Sequence, residues 1–501
     1  MATIYEDQSE DDPALPEVEN EKHWIEKVEV QKMSLQSILM MTCALGGIQV
    51  VWSTIFSNGT IYLGALGLPQ ALTALSWAMP AICGCFVQPL IGASSDVSTH
   101  SWGKRKPYIV VGAFGVTLSI LSLAWAGAMG RFSAELFVAT GQEEAAKTIT
   151  MLFAVLSICF LSVSVQPLQC GLRALILDLC PGDQQVQAQY WAARLTGTGQ
   201  ILGSVAGLVS YPTPDLGGET HTFRILAIAA VIAVNSTVAI TLLGIQEQQQ
   251  PMNRHHESRR FFKGNILRYL GTTFTDCPPL MLRVFFIQSL AWMGWFAFLF
   301  YNTSFVNTLY LTTTDVPDGE LSGYVASIVS LVFSCFSFGA SILLPGFVKR
   351  CEQLFDDRIL TKPSTQLQTS TLMTLWSASL ALSSTLMFMT FATTNFDATV
   401  VLMAINGLSW AVTNWVPFAL IGKLRAVEEQ DGRFKSACHG SIIGLHNVAI
   451  SAPQILAAGI AGIILWVAQI AGTPYGTGWV LRAGGIAYLA AASVAFTFRS
   501  T

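Results

Sequence analysis

The sequence predicts an all-α membrane protein of twelve transmembrane helices in two six-helix halves. Three observations carry this. Only 12% of the 501 residues are charged and 52% are apolar, about half the charged share of a soluble domain. Apolar runs recur near the ~20 residues a helix needs to cross hydrocarbon, and they are continuous, which argues against an alternating β-barrel pattern. The widest polar connection, 246–283, leaves six such runs on each side.

Residues 1–33 are acidic, then mixed in charge, without apolar periodicity; they are expected to form a disordered cytoplasmic tail. No cleavable signal peptide is visible. The N-terminal half, 34–245, carries spans at 34–57 (with a continuation to 66 left open), 70–93, 107–129, 149–176, 188–210 and 224–245. Residues 246–283 read as a cytoplasmic linker. The C-terminal half, 284–501, carries spans at 284–309, 323–347, 370–392, 398–422, 438–468 and 479–498. Pro453 in the long eleventh span predicts a tilt or kink.

Lys and Arg set the orientation. Lys104, Arg105 and Lys106, then Arg254 to Arg268, Lys349 to Lys362, and Lys423 to Lys435 all fall on one side when the N-terminus is inside. Both termini are therefore expected in the cytoplasm, in a protein of the plasma membrane. The ten cysteines show no metal-ligand spacing, and neither a cofactor nor a metal is expected. A net charge of −4 without a basic domain gives no nucleic-acid footprint. No phosphate-binding GxxxxGK[ST] loop is present, and the Ser, His and acidic residues are scattered, so an enzyme is not expected. The bilayer is the expected surround, and the chain is expected to act as a monomer.

Span four ends in SVSVQPLQCGLRALILD. Arg173 stays charged at any working pH and costs about 2.5–3.5 kcal/mol at the bilayer centre on insertion scales. Gln169, Gln166 and Ser162 precede it by four, seven and eleven residues and share its helix face, subject to a kink at Pro167. The polar stripe reads as a solute site or, alternatively, as a structural Arg capping carbonyls or pairing with Asp178. In span one Gln49 and Trp52 share a face; in span seven Trp295 and Asn302 align with Gln288 and Trp292; Asn414 lies in span ten. Aromatic faces with amides suit a polyol with an apolar ring face, whereas single Trp residues also serve as interfacial anchors.

Residues 92–107 read GASSDVSTHSWGKRKP, which resembles the loop between spans two and three of the major facilitator superfamily, with a short insertion. Asp96 and Arg105 occupy its acidic and basic positions. VQPLIGASSD, QCGLRALILD, WAARLTGTG, WAVTNWVPFALIGKL and GLHNVAISAPQ resemble the sucrose transporter branch, of glycoside–pentoside–hexuronide type, and its fungal α-glucoside permeases. The likeness covers most of residues 40–460. It implies two halves rocking about a central sugar site, with Asp96, Arg105, Asp178 and His446 as coupling or gating residues. Three acids of that family are replaced here by Ile55, Ser162 and Thr308. Gln and Asn bond hydroxyls but carry no proton, so the usual route for proton symport is missing. The expectation is a sucrose- or maltose-like α-glucoside carrier: a facilitator, or one coupled to protons through His446 or Asp178. An exporter or intracellular carrier of a glycosylated or other polar metabolite is the alternative, and a non-transporting solute sensor a third.

Overall fold

The computed structural model describes residues 32–138, 140–209, 218–247, 266–313, 322–356, 364–393, 395–430, 438–473 and 476–498. The tail at 1–31 and the basic residues at 254–263, 358, 362, 433 and 435 lie outside them. Among these residues fourteen α-helices follow in order: α1 Leu35–Ala65, α2 Gln70–Asp96, α3 Lys106–Ala124, α4 Ala126–Phe137, α5 Gln142–Leu179, α6 Gln185–Val209 and α7 Gly218–Gly244; then α8 Ile266–Asp276, α9 Pro279–Thr313, α10 Ser322–Asp356, α11 Ser364–Met389, α12 Phe396–Gln430, α13 His439–Ile470 and α14 Gly476–Thr497. Twelve of them are long, as the apolar runs predict. The two short helices, α4 and α8, were not anticipated: the third span breaks at Trp125, and α8 lies within the linker.

Eleven of the long helices are apolar enough to cross a membrane. The twelfth, α6, carries Gln185, Gln189, Arg194 and Gln200. It packs on α1, α10 and α12, so its polar side chains meet protein where lipid would reject them. Glycines bring its backbone against α1: a Cβ on Gly199 would lie 2.1 Å from the Gly46 carbonyl oxygen.

One apolar core joins Ile38 through Ile245, and a second is built mainly from Cys277 through Ala495. Between the halves α2 packs along α13, and α6 along α10. These are spans two with eleven and five with eight. A shift of six spans converts one pair into the other, which is the signature of a parallel repeat. Asn58, a glycosylation acceptor by letter, is buried within α1.

Candidate transport site and the latch beneath it

The polar face of α5 is partly internal to the helix. Ser162 donates to the Ile158 carbonyl at 2.7 Å, and Gln166 Nε2 to the Ser162 carbonyl at 2.8 Å. Both residues are buried, and Gln166 Oε1 has no partner. Gln169 and Arg173, nearer the helix end, are half-buried. Arg173 Nη1 donates to Gln189 Oε1 of α6 at 2.9 Å. Its guanidinium carbon lies 3.8 Å from the ring centroid of Phe418 on α12, a cation–π contact across the two halves. Phe418 in turn meets His446 of α13 edge-on, with centroids 4.8 Å apart. The structure does not pair Arg173 with Asp178.

Gln49 and Trp52 are half-buried on α1, and Trp52 stacks on Phe56 at 5.3 Å. Phe56 reaches Phe300 of α9 across the halves. Asn414 is half-buried and donates to the Trp410 carbonyl; Asn302 is buried and donates to the Phe298 carbonyl. Trp295 departs from its expected place. It is fully buried, its indole N–H donates to Thr413 Oγ1 at 3.1 Å, and Trp410, Tyr488 and Phe298 enclose its ring. No face remains for a solute in this conformation, so it packs the C-terminal core. Trp410 instead reaches the other half, donating to Gln200 Oε1 of α6 at 3.3 Å. Gln189 and Gln200 escaped the sequence reading. Their spacing of eleven residues, the same as that between Ser162 and Arg173, carried the signal.

The basic loops mark one end of the bundle, and there a latch closes the halves. Asp96 ends α2 and accepts from the Gly440 and Ser441 N–H groups, each at 2.8 Å, and from Ser441 Oγ at 2.6 Å. It thereby caps the first turn of α13, where the helix dipole favours a negative charge. The fully buried Arg105 holds Asp96 through Nη2 at 2.7 Å and Asp178 through Nε at 2.6 Å. Asp178 also meets Lys104 at 3.0 Å and His439. Burial works against the charge on Arg105, but Asp178 and Asp96 more than offset it and hold the guanidinium above its ordinary pKa. The turn before α3 depends on Gly103, with φ of +107°, and on Glu247. Glu247 accepts from the N–H groups of Lys104, Arg105 and Lys106 at 2.9–3.2 Å. Burial raises its carboxyl above the usual range, and those N–H groups pull it partly back. Close contact continues up α2: a Cβ on Gly92 would lie 2.1 Å from the Gly440 carbonyl oxygen.

Every carboxylate on the twelve long helices lies within five residues of a helix end. The three replaced acidic positions are satisfied locally. Ile55 is buried among apolar side chains, Ser162 bonds its own helix, and Thr308 Oγ1 donates to the Ser304 carbonyl at 2.9 Å.

Two repeated helical halves, a polar patch with a half-buried cation between them and a latch at one end define a solute carrier of the alternating-access class. Residues 37–336 match the family described as MFS/sugar transport protein, and the chain belongs to it. It is 30% identical to the general alpha-glucoside permease of Schizosaccharomyces pombe, over 94% of this chain and 95% of that protein. It is 24% identical to sucrose transport protein SUT1 of Oryza sativa subsp. japonica, over 86% and 82%. Among solved structures, a bacterial homologue of the iron transporter ferroportin in an outward-facing state superposes with a TM-score of 0.59 at 12% identity, covering 93% of this chain and 99% of that one. A D-xylose–proton symporter gives 0.56 at 13%, covering 92% and 97%. At such identities these two support the fold alone.

Proposed function

We propose that this protein carries an α-glucoside of the sucrose or maltose type across the plasma membrane by alternating access, as a monomer, with both termini in the cytoplasm. The observation that carries the reading is the Arg173–Gln189–Phe418 contact between the halves. It sits above a closed latch, in a chain whose relatives include an α-glucoside permease and sucrose transport proteins. The amides of Gln49, Gln169 and Asn414 would bond sugar hydroxyls, and Trp52 and Phe418 would cover the apolar ring face. Arg173 would hold hydroxyls while solute is bound and return to Phe418 when it leaves. Latch opening between α2 and α13 would release solute to the cytoplasm.

Among the described residues no spanning helix carries a carboxylate away from its ends. Transport is therefore proposed to be facilitative, driven by the solute gradient. Asp178 is held in the latch and His446 is sealed between Phe418 and Phe285, which leaves neither open to both sides. The same lack of carboxylates favours a second reading, export of a glycosylated metabolite, in which uphill import is not required. Counterflow in proteoliposomes tests the main reading. Labelled maltose or sucrose should accumulate transiently against unlabelled sugar inside, and Arg173→Lys should reduce this in correctly folded protein. Absence of counterflow for both sugars would reject the reading.

A further inference from the structure

Arg173 is a full charge inside the helical bundle, at the contact between the halves, without a counter-charge. Among the described residues no carboxylate lies within the 4.0 Å ion-pair distance of it. The nearest acid along its own helix, Asp178, is held by Arg105, Lys104 and His439. A guanidinium offers five N–H donors. One goes to Gln189, and Phe418 covers a face, which accepts no in-plane hydrogen. The remaining donors meet no acceptor among the described residues. Gln189, 1% exposed, fixes the fork from one side. The group is not walled off, because Arg173 itself is only half-buried.

We infer that the solute supplies the missing charge: the preferred substrate is an α-glucoside bearing one carboxylate, bound by the fork of Arg173. The inference rests on the α-glucoside reading above and narrows its substrate class. A hydroxyl bonds the guanidinium but leaves its charge uncompensated in a low-dielectric site, which is costly. A carboxylate accepts two parallel N–H bonds and neutralises the charge in the same contact. One arginine matches one negative charge, and no second cation is paired with it. His446 meets Phe418 edge-on, with ring centroids 4.8 Å apart. The unpartnered amide oxygen of Gln166, on the same helix face, is an acceptor that suits a sugar hydroxyl and repels an anion. It confines the acid to the Arg173 end of the solute.

The test is binding calorimetry on the full chain in nanodiscs, at neutral pH and low chloride. The probes are 4-carboxyphenyl α-D-glucoside and its uncharged carboxamide. The acid should bind about tenfold more tightly or better, as expected for a charge-assisted pair, and Arg173→Gln should bring the ratio to about one. The wild-type ratio decides the matter even where that variant fails to fold. Equal affinities, a preference for the carboxamide, a ratio that persists in Arg173→Gln, or one that vanishes on adding physiological chloride would overturn the inference and leave the α-glucoside reading standing. Failure of both probes to bind would overturn both.

Discussion

Asp96→Asn should open the latch. Asp96 accepts three hydrogen bonds from the start of α13, from Gly440 N, Ser441 N and Ser441 Oγ, and these join the halves. Asparagine keeps the shape but presents one acceptor oxygen and an NH2 group to a cluster of donors. Each bond to a charged group contributes about 1.5–3 kcal/mol, and the favourable charge at the helix N-terminus adds about 0.3–2 kcal/mol. With one bond retained, the closed state loses on the order of 3 kcal/mol or more, which shifts the open-to-closed ratio by about a hundredfold. Cys170 reports the change. It is fully buried beneath Gly440, with its sulfur 3.8 Å from the Gly440 oxygen. In a chain with the other cysteines replaced, maleimide labelling of Cys170 should accelerate by about two orders of magnitude in Asp96→Asn. An unchanged rate in folded, monodisperse protein would refute the reasoning.

Three further outcomes are expected. Gly92→Ala places a Cβ against the Gly440 carbonyl, so it should accelerate the same Cys170 labelling without lowering thermal stability as much as Gly199→Ala, whose Cβ would collide with Gly46 inside the N-terminal half. Trp295→Ala should cost about 3–5 kcal/mol of stability by leaving a core cavity, read as a lower melting temperature, with little change in KM where the protein survives. Pro345 has no N–H for the carbonyl four residues back, at Ser341, and Arg194 Nε supplies a donor there at 3.1 Å. Arg194→Leu should therefore destabilise by about 1–2 kcal/mol in denaturation, and the loss should shrink when Pro345→Ala restores the N–H.

The spans were legible because hydrocarbon thickness fixes their length, and the six-plus-six division because the polar connection has to be long. The polarity of α6 was visible too, but its cause lies in the helices around it. Trp295 shows where helical periodicity stops: α9 is apolar on nearly all sides, so alignment with Gln288 and Asn302 identifies a shared face without saying whether it meets solute or core. All three prove buried. Arg173 was found from its charge at the end of an apolar run, Gln169 from its helical spacing to Arg173 and Asp96 from the loop motif after span two, all local signals. Gln189, Phe418, His439 and Glu247 act through partners 16, 245, 261 and up to 143 residues away, and one-dimensional spacing does not encode such distances.

The central claim is a sugar carrier without a proton-binding carboxylate in its cavity. It is tested most directly by uptake of labelled maltose and sucrose into cells lacking their own carriers, at acid and mildly alkaline pH, with and without a protonophore. Saturable uptake that depends on Arg173 and is indifferent to pH and protonophore is expected. Uptake that rises at acid pH and collapses with the protonophore would contradict it.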